Sequence, residues 1–407
     1  MGRGTGIRAV GLDLLFMGVN FSALTLFSTL KDFFANEYGM SSAQLQWAAA
    51  AYSIGIFAAF FIGHSKYVEE HPKATVLTAA ILAAIPQFLI PISGSSMAVI
   101  ALRFLQGLVM MAVPIFSSQV GTLFSHARPL ALGIILSGIF IGGFIGSNVG
   151  WQLAVAYGWR TAYVVFGLAM LVVALIWIGL TPSETLPRHT HEVKESKVTK
   201  GSVWKKPFTI IWGFTFFPSI WIIFTLAPLI AFIVTTSFGA ELARVSSETL
   251  EASYIFWSIT IGAIAYLVSR RGSGNPRQLF KSFAYVQAAC FVIALVGALS
   301  AYIASISGNA TSLLASLFIL AVIQGTAPTF WSIPSTAYPK DEVTRAGYAL
   351  GLISNSAAMI GPVASILVAS LSTSMWLLTS FLSLMGLVLT LVALRLRLPI
   401  EEIRENT

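Results

Sequence analysis

"ALRFLQGLVMMAVP", Ala101–Pro114, is apolar except for one cation and one amide, Arg103 and Gln106. At the centre of a membrane span an arginine costs ~2.5–3.5 kcal/mol, so a chain that keeps one there must give it partners. Composition makes membrane the medium. Hydrophobic residues are 56% of the chain, charged ones 10%, and mean hydropathy is +0.82, whereas a soluble domain carries about 25% charged residues. With 407 residues the chain can cross a bilayer about a dozen times at roughly 20 residues per span. It must cross as helices, because lipid leaves no partner for open backbone groups.

Apolar runs separated by short polar breaks predict spans at about 10–30, 46–63, 74–92, 97–124, 129–156, 160–180, 208–238, 250–268, 279–303, 313–337, 345–371 and 375–396. The break at 181–206, "TPSETLPRHTHEVKESKVTKGSVWKK", is the longest polar stretch. It divides the chain into an N-terminal half, 1–180, and a C-terminal half, 207–407, of six spans each. Its His189 and His191 read as part of a solvated linker, since neither has a second ligand at helical spacing.

The lysines and arginines are lopsided. Lys31, Arg160 and Arg244 fall at alternate breaks, Arg103 lies well within a span, and all the rest of the 24 lie at the termini or in or within three residues of the other breaks. By the positive-inside rule both termini are cytoplasmic and the basic linker faces anionic lipid. The plasma membrane is the expected location. The formal charge of +8 is therefore an orientation signal, and no nucleic-acid partner is expected. Cys290 is the single cysteine, which rules out a disulfide within the chain. There is no P-loop, HExxH or GxSxG motif, so no ATP drive, no metal, no cofactor and no enzymatic chemistry are expected.

The halves echo one another. Gln106-Gly107 in span four matches Gln324-Gly325 in span ten, each with a proline downstream, and "HSKYVEEHPKATVL" after span two has a counterpart in "SRRGSGNPRQLF" after span eight. Internal duplication is a common plan of alternating-access carriers. At these residues the chain resembles the major facilitator superfamily over essentially its full length. "RFLQG" is similar to that superfamily's fourth-helix signature. "SSAQLQWAAAAYSIG" resembles the opening of the second helix in drug-exporter branches, and "GWRTAYVVFG" a frequent start of the sixth. Gly133, Gly142, Gly146 and Gly150 are spaced like the antiporter signature, although Ser147 and Trp151 stand where it has proline and a further glycine. The charges after Gly63, in "HSKYVEEHPK", also depart from the loop signature between spans two and three. The resemblance implies an all-α fold of twelve transmembrane helices in two pseudo-symmetric halves. It also implies a cavity lined by the first, fourth, seventh and tenth helices, and Arg103 in the core of the N-terminal half with a part in coupling.

Two roles compete for Arg103. It braces neighbouring helices through their carbonyls, or it faces the pathway and meets an anion with its five donors. The remaining substrate-binding candidates are Gln106, Asn20, Thr25, Asn148, Gln152, Trp212, Trp221, Tyr254, Trp257, Gln324, Trp331 and Asn355. Each alone also reads as helix-to-helix bonding or interfacial anchoring. Asp13 is the one carboxylate well inside an apolar run, with Asp32 and Glu37 just past the end of span one. These are the proton-coupling candidates, and the other acids are expected in loops, linker or tail. Gly138, Gly142, Gly146 and Gly150 recur every four residues, as do Gly347 and Gly351, which lets neighbouring helices approach closely. The expected activity is secondary or facilitative transport of a small anionic or neutral organic solute by a monomer, with a proton or counter-solute as possible partner. The alternative is proton-coupled multidrug efflux, which lacks a mid-membrane acid. A transport-inactive receptor or assembly factor is the third reading.

Overall fold

The computed structural model describes residues 3–124, 127–186, 203–270, 275–368 and 372–401. His189, His191 and most of the linker lie outside them, as do the central residues of "SRRGSGNPRQLF". The long helices are α1 (Gly4–Thr29), α2 (Ser42–Ile62), α3 (Pro72–Ile92), α4 (Ser96–Leu123), α5 (Arg128–Tyr157) and α6 (Trp159–Leu180). They continue as α7 (Pro207–Phe238), α8 (Ala240–Ser269), α9 (Pro276–Ser307), α10 (Ala310–Ala337), α11 (Val343–Val368) and α12 (Ser372–Ala393). This is the twelve-helix membrane fold the hydropathy pattern predicts.

Packing repeats in the two halves. The pairs α1–α5, α2–α4 and α3–α6 have the counterparts α7–α11, α8–α10 and α9–α12. Two seams join the halves, α5 against α8 and α2 against α11. Close approach depends on glycine at both levels. A Cβ on Gly107 would stand 2.0 Å from the Tyr52 carbonyl oxygen, and one on Gly142 would stand 2.6 Å from that of Gly18. The glycine ladder of α5 is thus the groove that receives α1. Leu168, Val172 and Leu175 on α6, with Val292, Val296, Leu299 and Ile303 on α9, are exposed along one side of each helix and meet lipid.

Two spans differ from expectation. α1 is broken: helix runs from Arg3 to Asn20, turns at Phe21 and Ser22, and resumes from Ala23 to Thr29. A short helix, Lys31–Tyr38, then ends at Gly39, whose φ of 60° suits glycine. α8 begins at Ala240, ten residues before the expected start, because Glu241, Arg244, Glu248 and Glu251 lower the local hydropathy without interrupting the helix. Glu251, at the very edge of the expected span 250–268 and counted there among the loop acids, stands well inside this helix, which corrects the expectation that Asp13 is the one acid inside the spans.

Candidate functional site

The break in α1 creates the setting for Arg103. Asn20 Nδ2 donates to the Phe16 carbonyl at 3.0 Å and Ser22 Oγ to that of Val19 at 2.6 Å. The backbone follows with the tight turns Ser22 N to Val19 O and Leu24 N to Phe21 O. Side chains that bond their own backbone compete with the helix, and here they interrupt it. The carbonyls just past the break are then available to Arg103. Its Nη1 donates to Ala23 O at 2.6 Å and to Gln106 Oε1 at 2.8 Å. Nη2 reaches Leu24 O and Nε reaches Ala48 O, each at 3.4 Å. The Phe27 and Tyr52 rings cover it at 5.0 and 4.7 Å. All three nitrogens are engaged and the residue is 1% exposed. Of the two roles open to Arg103, the contacts here are those of the brace: in this conformation it stitches α1, α2 and α4 together through backbone oxygens.

Several buried polar atoms of both halves stand without partners among the described residues. Asn20 Oδ1, Tyr52 Oη and Gln106 Nε2 are such atoms in the N-terminal half. The same holds for Trp221 Nε1, Thr225 Oγ1, Tyr254 Oη and Asn355 Oδ1 in the C-terminal half. Buried polar atoms are nearly always bonded, and others also stand without a partner among the described residues, including Gln87 Oε1, Tyr163 Oη, Trp212 Nε1 and Trp376 Nε1. Trp221 and Thr225 of α7 lie against Gly361 of α11. Asn355 donates to Gly351 O at 2.9 Å, and Gln324 is buried in the short 3-10 segment Ala321–Gly325. On the α5–α8 seam Thr25 Oγ1 donates to Gly143 O at 2.5 Å. Tyr254 lies with its ring 4.7 Å from Phe140.

Five candidates fall elsewhere. Trp331 stacks on Phe60 at 5.9 Å in the seal described below. Trp212 packs among Phe208, Phe280 and Phe330. Trp257 donates to Phe318 O at 2.7 Å on a partly exposed face. Asn148 turns back to Phe144 O at 3.1 Å, and Gln152 is exposed beyond it.

The three acid candidates also separate. Asp13 is fully buried, with Oδ1 accepting from Trp177 Nε1 at 2.7 Å and Oδ2 without a partner among the described residues. Asp32 is exposed on the short helix after α1. Glu37 is paired with Arg160 and accepts from Trp159 Nε1 at 2.7 Å, and these bonds, Arg160 first, hold its carboxyl below the usual range. Neither Asp32 nor Glu37 joins the site. Glu251 does: its Oε1 lies 3.8 Å from where a Cβ on Gly143 would stand, and Thr25 Cγ2 is 3.4 Å from the same point. The signal for it was present as Leu242, Leu250 and Tyr254 at helical spacing among the charges.

On the side carrying both termini, here the basic side, the halves are sealed. Ser117 Oγ donates to Trp331 O at 2.7 Å, Tyr348 Oη to Met111 O at 2.7 Å and Arg128 Nη1 to Thr336 Oγ1 at 3.0 Å. Gly351 receives Phe60 and Gly63 receives Tyr348. His64 stacks on Trp204, near the end of the linker, at 5.0 Å. Along α5–α8 these contacts continue through Ser258 Oγ to Gly133 O, 3.0 Å, to Phe140–Tyr254 and then Gly143–Glu251.

The sequence pattern of the Major Facilitator Superfamily matches residues 14–362. The chain belongs to this superfamily. It is a membrane transport protein and not an enzyme. It is similar to a hexuronate transporter of Bacillus subtilis (strain 168), 19% identical over 357 residues that cover 84% of this chain and 83% of that one. Among solved structures it resembles the proton:xylose symporter XylE bound to 6-bromo-6-deoxy-D-glucose, with a TM-score of 0.78, 12% identity and 96% of each chain covered. It also resembles the human organic anion transporter MFSD10 (TETRAN), with a TM-score of 0.66 and 15% identity over 96% of this chain and 100% of that one. At such identities the structural likeness establishes the superfamily fold.

Proposed function

We propose that this superfamily member carries a small polar organic solute, neutral or anionic and of sugar or sugar-acid size, by alternating access. The carrying observation is the set of unpartnered polar atoms on both halves, in α1, α2 and α4 and in α7, α8 and α11. Solute contacts are assigned to Asn20, Thr25 and Gln106 on one half and Trp221, Tyr254, Gln324 and Asn355 on the other. Neutral hydrogen-bonding groups beside an aromatic ring suit a polyhydroxy compound, and the names of two relatives agree with that class. Arg103 acts at one remove, by holding the broken α1 and Gln106 in place. In the conformation described, with the basic side shut, the solute enters from the opposite side. The protein works as a monomer in the plasma membrane with both termini in the cytoplasm, and its lysine and arginine distribution supports that orientation.

The test is uptake by proteoliposomes of radiolabelled D-xylose, D-glucuronate and tetraphenylphosphonium, with and without an imposed pH gradient. Uptake of either sugar compound above empty liposomes supports the reading. Movement of the organic cation alone would replace it with multidrug exchange, for which Glu251 supplies the carboxylate. No movement of any of the three would favour the transport-inactive scaffold.

A further inference from the structure

The contacts that join the halves along α5 and α8 begin at the basic side with Gly262 against Pro129 and Gly133. They pass Ser258 and Tyr254 and reach Glu251 against Gly143, the farthest of those named from the basic side. Gly143 stands at the middle of the 30-residue α5, so a half-buried carboxylate sits on the dividing seam near mid-membrane. Glu251 has no hydrogen-bond or ion-pair partner among the described residues. Asp13, Glu37, Glu342 and Glu401 each have one.

The elements packed on α8 are α5, α7, α9 and α10. α7 and α10 contain no ionisable residue, and α5 contains only Arg128 and Tyr157, at its ends. α9 contributes Arg277 and Lys281 at the basic side, then Tyr285, Cys290 and Tyr302. α1 brings the neutral Thr25 to the same place. On α8 itself Glu248 and Tyr254 stand one turn to either side, with Glu241 and Arg244 farther along and Tyr266 and Arg270 toward the basic end. The seam thus holds a carboxylate with no cation on a facing helix at its level.

We propose that Glu251 is the proton-binding residue of this carrier and that the side opposite the termini closes only when its carboxylate is protonated. This rests on the alternating-access reading. Closing that side carries the outer parts of α1 and α5 onto α7 and α8 and removes water from Glu251. An ionised group without a partner resists such desolvation, whereas the neutral acid does not. The proton comes from water on the open side, binds a carboxylate oxygen and leaves as water reaches the seam from the basic side. No other bond changes.

The experiment needs no solute. The full chain, with Cys290→Ala, carries nitroxides on Ala156→Cys and Ser307→Cys, exposed positions on the two halves at the side opposite the termini, and is placed in lipid nanodiscs. Pulsed EPR then reads the distance between them at about pH 5 and about pH 9, a span that moves a carboxyl between its two forms. The short-distance population should grow on acidification, be present at both pH values in Glu251→Gln, and regain its pH response in Glu251→Asp. A second measurement uses the natural side chain: dicyclohexylcarbodiimide, which reacts with protonated carboxyls in apolar surroundings, should mark Glu251 at the lower pH and spare it at the higher. A distance distribution that ignores pH, or a Glu251→Gln response equal to wild type, overturns the proposal, as does absence of the adduct. Because neither readout involves transport, a carrier that responds to pH but moves none of the three test solutes separates failure of the solute assignment from failure of this one.

Discussion

Replacing Arg103 should cost stability first and transport second. In Arg103→Ala two short bonds are lost, Nη1 to Ala23 O at 2.6 Å and to Gln106 Oε1 at 2.8 Å. Two ring contacts go with them. The bond to Ala23 is interhelical, a class that reaches ~1–1.7 kcal/mol at the strong end in bilayers. The bond to Gln106 lies within α4 and joins no helices. Each cation–π contact adds ~0.5–1 kcal/mol. The two contacts at 3.4 Å are long for hydrogen bonds and add little. The expected loss is about 2–4 kcal/mol. The cost of inserting a cation does not enter this difference, because the arginine is in the membrane before and after the helices separate. Arg103→Lys keeps the charge and one carbonyl bond but not the planar fork between two rings, so about half the loss is expected. Denaturant unfolding in nanodiscs, followed by tryptophan fluorescence, should rank wild type above Lys and Lys above Ala. Unchanged unfolding in Arg103→Ala together with a raised KM would refute this reasoning and make the arginine a solute contact after all.

Gly142→Ala should loosen α1 from α5, since a Cβ there would meet the Gly18 carbonyl at 2.6 Å; overpacking of this kind costs about 1–3 kcal/mol, read as a lower Tm. Glu37→Gln tests the clamp with Arg160 and Trp159. A carboxyl held below its ordinary pKa stabilises the fold above that ordinary value, about 4.3 for glutamate, and the contribution is lost as pH falls through the lowered one. Wild type should therefore be the more stable at neutral pH, and the two should converge in acid. Trp204→Ala removes the stack on His64 and should open the basic side, raising the maleimide labelling rate of a Ser335→Cys reporter placed beside Gly121. An unchanged rate would show that the end of the linker is not part of the seal.

Much of the fold was legible because lipid permits few solutions: apolar runs become helices, and small residues every four positions become grooves. The start of α8 was hidden by its own charges, since hydropathy averages over Glu241, Arg244, Glu248 and Glu251 where helical periodicity does not. The partners of Arg103 were illegible for a different reason. Its acceptors are the carbonyls of Ala23, Leu24 and Ala48, and a backbone oxygen has no letter in a sequence. The seal was hidden likewise, because Ser117 and Thr336 look like any small hydroxyl of a membrane helix until the residue opposite is known.

The pseudo-symmetry of the halves gives these charges a further meaning. Arg103 stands three residues before Gln106, and the residue three before Gln324 is Ala321. The C-terminal half therefore has no counterpart to the brace. A similar contrast holds between α1–α6 and α7–α12. In the first, Asp13 joins Trp177 and keeps one oxygen without a partner among the described residues. In the second, Gln287 of α9 donates to Thr215 at 2.9 Å and Thr390 at 3.4 Å and accepts from Thr329 at 3.2 Å. Those hydroxyls also donate to carbonyls of their own helices, Thr215 to Trp212 O and Thr390 to Gly386 O, each at 2.7 Å. A neutral layer so fully bonded has no state to change. The N-terminal half instead keeps Arg103 and Asp13 inside it, and the C-terminal half places Glu251 on the seam. Charge internal to one half moves with that half and opposes no rocking motion, whereas a charge on the dividing surface is desolvated differently in each conformation. That difference is what makes Glu251 the position at which protonation can choose between open and closed.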